Sequence, residues 1–342
     1  MLLSDTETPI HLAPAGQPRS VHELTDRLFS AYTVEDGAVH LAGCRLEDRP
    51  FLRMGDSSQA RAGALITDES GRAVEDGFAR LLGMDETVPW QPPPEMSPSQ
   101  LAETVRHTTE AARHRWGVAG TLDAVFIWCK HAEGKLRFTI RDQSADLPFC
   151  GWTRTLQPPP FICPHSGKPS FHVAATDDGR IVAFESIGTC EETGRRVLAD
   201  ELVTCDATGL TVLADQTRIC PVSNRPVLER ALATCSMCRQ RVSPKTIVKG
   251  RCLACRSTRP IAKDEPLLAP LLETHKGLQG WANWALSETA EVFILLAAGW
   301  WKRLLLVVDK ESREVRYAAQ GQRFPGGFSA INVSEIDADA TR

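Results

Sequence analysis

CPHSGK at Cys163, CEETGR at Cys190, CDATGL at Cys205, CPVSNR at Cys220, CSMCRQ at Cys235 and CLACRS at Cys252 are six versions of one phrase. The four inner starts are fifteen residues apart, the last step is seventeen and the first twenty-seven, so the stretch is an internal repeat with an insertion after its first copy. Three residues after each Cys stands Ser166, Thr193, Thr208, Ser223, Cys238 or Cys255, and in the first four copies Gly167, Gly194, Gly209 or Asn224 follows. Gly and Asn accept a left-handed backbone at little cost. Each copy therefore predicts a tight turn between two short strands. The pairs Val197 with Leu198, Val212 with Leu213 and Val227 with Leu228 give successive hairpins an apolar face to bury on one another, which predicts an elongated β-ladder.

The last two copies keep both sulfurs. Cys235, Cys238, Cys252 and Cys255 read CxxC, thirteen residues, CxxC, a donor set for one closed tetrahedral site and hence one Zn²⁺ per chain. Residues 235 to 255 resemble a zinc ribbon, and the four upstream copies resemble zinc knuckles whose second ligand has become a hydroxyl. The resemblance covers about a quarter of the chain and implies a fold for that segment but no activity. A hydroxyl is a poor zinc donor, so the single-cysteine copies read as metal-free. Cys150, Cys163, His165 and His172 have the donor types for a second metal at a spacing that matches no familiar pattern.

The 342 residues are too many for one compact core and predict two or three domains of globular composition, 42% hydrophobic and 24% charged. No basic flank leads into an apolar core at the N-terminus, and the run from Val292 to Trp301 stops at Lys302 and Arg303, too soon to cross a bilayer. Eleven cysteines, four of them in CxxC pairs, fit a reducing compartment. A soluble, cytoplasmic chain without a membrane partner is the expectation. The net charge of −4 hides an asymmetry: between Gln216 and Lys263 eleven basic residues face one acid, Glu229, so this segment is +10 and the rest −14. Such density favours an anionic partner, nucleic acid or an acidic protein face, through Arg239, Arg241, Lys249, Arg251 and Arg256. The alternative is neutralisation within the chain.

The fold class expected is α+β and multi-domain, a central all-β array of knuckle hairpins flanked by small α+β modules. The divisions fall at a loose arm (1–18), an N-terminal α+β module (19–90), a proline linker (91–97), a helix with a β-hairpin (98–157), the degenerate repeats (158–234), the ribbon (235–262), helices with a three-stranded sheet (263–325) and a mobile tail (326–342). Polar residues at Glu47 to Arg49 and at Glu133 and Gly134 predict turns, Ser97 and Pro98 open a helix to Trp116, Asp177 to Gly179 turn a hairpin, and Leu278 to Leu286 predict a helix. Trp281, Trp284, Trp300 and Trp301 cluster near one end as core, as a docking face or as an aromatic platform for bases.

No Ser/His/Asp or Cys/His set, phosphate-cradling loop or small-molecule site assembles from this pattern, and a site with four cysteines has no position for a catalytic water. The functional expectation is a non-enzymatic, zinc-stabilised scaffold or adaptor with other protein subunits as partners. Nucleic-acid binding through the basic ribbon is the competing class, and an enzyme with an unrecognised site the third.

Overall fold

The computed structural model describes residues 9–55, 65–117, 123–322 and 327–338. The chain is a strand-rich α+β protein that divides into two units, Met1–Ile187 and Gly188–Arg342.

The first unit is built on strands β1 (Ile10–Pro14), β2 (Gly37–Gly55), β3 (Leu65–Thr67), β4 (Thr87–Pro89), β5 (Asp123–Ile140) and β6 (Gln143–Trp152). The order is β3-β2-β5-β1-β4, with β6 also on β5. Antiparallel β2 lines one edge of β5, from Gly55↔Asp123 to Gly37↔Ile140. The other edge is shared by parallel β1 (Ile10↔Val125 to Leu12↔Ile127) and antiparallel β6 (His131↔Trp152 to Ile140↔Gln143).

Two predicted turns are absent, because β2 and β5 run straight through Glu47–Arg49 and Glu133–Gly134. Their polar residues pair across the strands instead: Lys130 Nζ lies 2.9 Å from Asp48 Oδ2, and Arg45 pairs with Glu133. Gly134 meets the demand of a close approach, since a Cβ there would stand 2.8 Å from Cys44 Cα, beside the register shift between Ala42 and Arg45. Gly134→Ala is therefore expected to destabilise the protein by about 1–3 kcal/mol, measured as a lower urea midpoint. An unchanged midpoint would mean that the bulge yields freely.

The loose arm expected at 1–18 is corrected in part. Residues 1–8 lie outside the described residues, but β1 is a sheet strand whose His11 Nδ1 accepts from Trp128 Nε1 at 3.0 Å. Alternation along β5 buries both faces. Phe126 and Trp128 join Leu52 and Met54 in one cluster, and Phe51, Ile127 and Cys129 lie in another. Helix α1 (His22–Phe29) buries Leu24 and Leu28. The second cluster includes Ala79 of α2 (Asp76–Leu81) and the first Ala112 of α3 (Pro98–Trp116). Helix α3 starts where Ser97 and Pro98 predict: Ser97 Oγ accepts from the Gln100 amide at 3.2 Å and Gln100 Oε1 from the Ser97 amide at 2.8 Å. The first repeat turn, at Cys163, belongs to this unit, as does the predicted hairpin of β7 (His172–Ala175) and β8 (Ile181–Ala183).

In the second unit the turn recurs at Cys190, Cys205, Cys220 and Cys235. The amide of Gly194, Gly209, Asn224 or Arg239 donates to the carbonyl of its Cys at 2.8–3.0 Å, and φ at these residues is 72°, 81°, 55° and 62°. Each hairpin ends in a 3-10 turn, at Ala199–Glu201, Ala214–Gln216, Glu229–Ala231 and Pro244–Thr246. Neighbours are joined by backbone bonds of 2.8 Å from Glu191 to Thr211 and from Asp206 to Pro226. The predicted Val and Leu pairs are all buried.

The sixth phrase is not a turn of this kind. Cys252 ends the strand Arg251–Cys252, whose hairpin turns at Lys249 and Gly250, and opens α4 (Leu253–Arg256). The residue after Cys255 is Arg256, in the last position of this helical turn, whereas Arg239 after Cys238 takes the left-handed conformation.

The unit is completed by a sheet of β9 (Arg259–Ile261), β10 (Asn283–Glu288), β11 (Val292–Ala298), β12 (Lys302–Asp309), β13 (Val315–Gln322) and β14 (Ser329–Ile331), antiparallel in chain order. The helix predicted over Leu278 to Leu286 is replaced by a 3-10 turn and β10, in which Trp284 and Leu286 point to one buried face with a period of two. The expected mobile tail also holds β14 and α6 (Glu335–Ala338), with Ile336 buried, while 326 and 339–342 lie outside the described residues. One face of this sheet (Val292, Ile294, Leu305, Val307) shares a core with the ladder and its four terminal cysteines. The other (Trp284, Leu295, Leu304, Leu306) shares one with α5 (Leu268–Thr274) and Ile336. Among the described residues no helix is long and apolar enough to cross a membrane.

Candidate metal centre

Cys235 and Cys238 come from the last knuckle turn, and Cys252 and Cys255 from the strand end and helical turn that close the next hairpin. Their four sulfurs lie within 4.8 Å of one another, with Cys235–Cys255 and Cys238–Cys252 separations of 3.8 Å. A tetrahedron with metal–sulfur bonds of about 2.3 Å has edges of about 3.8 Å, so the spacing fits a metal ion, and it is far beyond a disulfide bond of about 2.05 Å. The side chains are at most 5% exposed. Hydrogen bonds from Cys238, Cys252 and Cys255 hold the Cys235 thiol far below its ordinary value, whereas Cys255, bonded to Cys235, is held far above. The cluster thus shares protons that a bound cation would displace. The Cys235 sulfur also accepts from the Cys252 amide at 3.3 Å.

That last bond recurs up the ladder. Cys205 accepts from the Leu228 amide at 3.3 Å, Cys220 from Ser243 at 3.1 Å, and Cys190 from Leu213. In the first unit Cys163 accepts from Ala183 at 3.4 Å, with Ser186 Oγ at 3.6 Å. Cys252 therefore stands where Ser243 and Leu228 stand, and Cys255 where Thr246 and Ala231 do. By the same backbone bond and sequence offset, Cys220, Ser223, Ser243 and Thr246 are the counterparts one unit earlier, although the Ser243 hydroxyl donates to Asp206 and the Thr246 hydroxyl to the Ser243 carbonyl. The seventeen-residue last step, two beyond the period, is the sequence signal of this difference. Burial pushes the Cys163 thiol up, but hydrogen bonds from Ser166, Ala183 and Ser186 outweigh it and bring it to about 6. The same balance lowers Cys190, Cys205 and Cys220.

No family model, curated protein or solved structure matches this chain.

The second metal set is not brought together. Among the described residues the four ribbon cysteines are the one group of three or more candidate ligands that converge. His172 Nε2 lies 2.8 Å from Glu35 and its ring stacks on Phe184, Cys150 is exposed on β6, and the Cys163 sulfur is taken by the contacts above. His165 is an exposed residue of the Cys163 turn. Of the basic set, Arg239, Lys249, Arg251 and Arg256 are exposed around the ribbon, while Arg241 is committed to Glu229 at 3.3 Å. The tryptophans divide. Trp284 is core and Trp281 half-buried, but Trp300 and Trp301, at the β11–β12 turn, are 79% and 71% exposed. They border a cleft of about 1230 Å³ with Lys276, Trp281, Glu335 and Ile336.

Proposed function

We propose that the chain is a non-enzymatic scaffold or adaptor, stabilised by one zinc ion at Cys235, Cys238, Cys252 and Cys255, that presents its surfaces to partner proteins. Zinc is the metal because four thiolates in a tetrahedral array suit it, and four protein ligands leave no open position for a substrate or a reactive water. The observation that carries the adaptor reading is the pair Trp300 and Trp301, two adjacent indoles left in solvent at a turn beside a cleft. Large aromatic side chains anchor protein interfaces, and truncating such an anchor costs about 2 kcal/mol or more, near a thirtyfold loss of affinity. Capture of partners from the native source by the tagged full chain, with mass spectrometry and nucleic-acid staining of the eluate, tests this. A protein retained by the wild type and lost with Trp300→Ser/Trp301→Ser is the expected result. Equal retention by both forms would remove the docking role from the tryptophans.

A further inference from the structure

Five of the eleven basic residues between Gln216 and Lys263 are neutralised inside the second unit. Arg218 pairs with Glu291 (3.3 Å), Arg225 with Asp206 (3.5 Å), Arg241 with Glu229 (3.3 Å), Arg259 with Glu265 (3.2 Å) and Arg230 with Glu192. Lys263 Nζ donates to the Gln279 carbonyl at 2.7 Å. The remaining five, Arg239, Lys245, Lys249, Arg251 and Arg256, are exposed and have no carboxylate partner among the described residues. All five belong to the ribbon, and no Asp or Glu occurs between Glu229 and Asp264.

Hydrogen bonds to backbone carbonyls group them on adjoining turns of the ribbon, with the Arg239 guanidinium over the Tyr317 ring, 6.0 Å from its centre. The Ser236 amide and Oγ both donate to the Gly250 carbonyl, at 2.9 and 2.8 Å, pinning the turn that carries Arg239 to the turn that carries Lys249, with Arg251 next along. Arg256 Nη2 donates to the Thr246 carbonyl at 3.4 Å, which places it beside Lys245. Two of these cations sit in a backbone conformation disfavoured for any residue with a Cβ: φ is 62° at Arg239 and 50° at Lys249. Gly194, Gly209 and Asn224 occupy the position of Arg239 in the earlier turns. Among the ladder turns, Arg239 is thus the one long cationic side chain that stands where the earlier copies carry Gly or Asn.

We infer that this surface of the ribbon binds the phosphodiester backbone of a nucleic acid. Protein interfaces centre on apolar and aromatic anchors, whereas the only large apolar side chains exposed on the ribbon are Val248 and Leu253. Four thiolates around a divalent cation carry a charge of about −2, so five unpaired cations leave the surface positive. Contacts of this type position a backbone and read no base, so binding is indifferent to sequence. The inference is independent of the adaptor reading, and Trp300→Ser/Trp301→Ser leaves nucleic-acid retention intact.

The test is binding of a labelled 20-base-pair DNA duplex and of a single strand of equal length to the full, metal-loaded chain between 50 and 200 mM salt. Five phosphate contacts give a slope of log K against log salt of about −4.5 for the duplex and about −3.5 for the single strand, the former a loss of roughly 500-fold over that range. Arg239→Asn/Lys249→Asn removes two cations at positions where Asn accepts the backbone, so the duplex slope shrinks by about 2 with zinc content and thermal midpoint kept. No retention of either nucleic acid at 50 mM salt, a slope unchanged in the double variant, or preferential retention of polyglutamate as a mimic of an acidic protein each overturns the inference.

Discussion

Cys238→Ser is expected to abolish zinc binding and to lower the thermal midpoint of the Gly188–Arg342 unit by roughly 10 °C or more. The substitution leaves three buried thiols and one hydroxyl, and the hydroxyl is too weak a donor to hold the ion. Structural zinc contributes about 10–16 kcal/mol of apparent binding free energy in small domains that have little other core. Here much of the ribbon's packing survives metal loss, since Cys235, Met237, Val242 and Ala254 share one apolar cluster with Val292 and Leu305. A net loss of about 4 kcal/mol is therefore the reasonable scale, and at about 2–4 °C per kcal/mol for a unit of this size it gives the shift stated. Differential scanning calorimetry with elemental analysis reads both numbers, with one zinc per chain in the parent. A zinc-free variant that melts with the parent would show that the four sulfurs add nothing to stability.

Ser223→Cys/Ser243→Cys/Thr246→Cys is expected to raise zinc from one to two ions per chain. Together with Cys220 these positions are the counterparts, one unit earlier, of Cys235, Cys238, Cys252 and Cys255. The match rests on the 3.1 Å bond from the Ser243 amide to Cys220 Sγ, the counterpart of the 3.3 Å bond from Cys252 to Cys235. Ser243 is fully buried, so a thiol there faces the interior, and its present partner Asp206 keeps the ion pair to Arg225. A content that stays at one would mean that the shared backbone does not extend to a shared sulfur geometry.

The repeated turns were legible because their requirement is local: a Cys whose carbonyl takes the amide four residues on, and a Gly or Asn able to stand at positive φ. The convergence of Cys235, Cys238, Cys252 and Cys255 was legible from CxxC spacing alone. Their setting was not, since Cys252 and Cys255 keep that spacing in a helical turn as readily as in a knuckle. The long strands of the first unit were missed for a different reason. Asp48, Arg45 and Glu133 look like turn residues until a partner strand supplies their countercharges, and Gly134 looks like a hinge until Cys44 is seen beside it. The helix expected over Leu278 to Leu286 rests on the spacing of Leu278, Trp281 and Trp284, whereas only Trp284 and Leu286, two apart, lie in β10, a spacing too short to declare a strand by itself. The charge pattern posed a question that only geometry divides: five cations meet acids within the unit and five meet none among the described residues.

The sulfur-to-amide bonds point one way along the chain. From Cys190 onward each cysteine waits for a donor 23 residues later, at Leu213, Leu228 or Ser243, and Cys235 for one 17 residues later at Cys252. During synthesis no unit can finish its own closure; each is completed by the one that leaves the ribosome after it. The final pair of cysteines has no successor to wait for, and in the proposal made above an ion drawn from the surrounding solution would take the place of the missing neighbour.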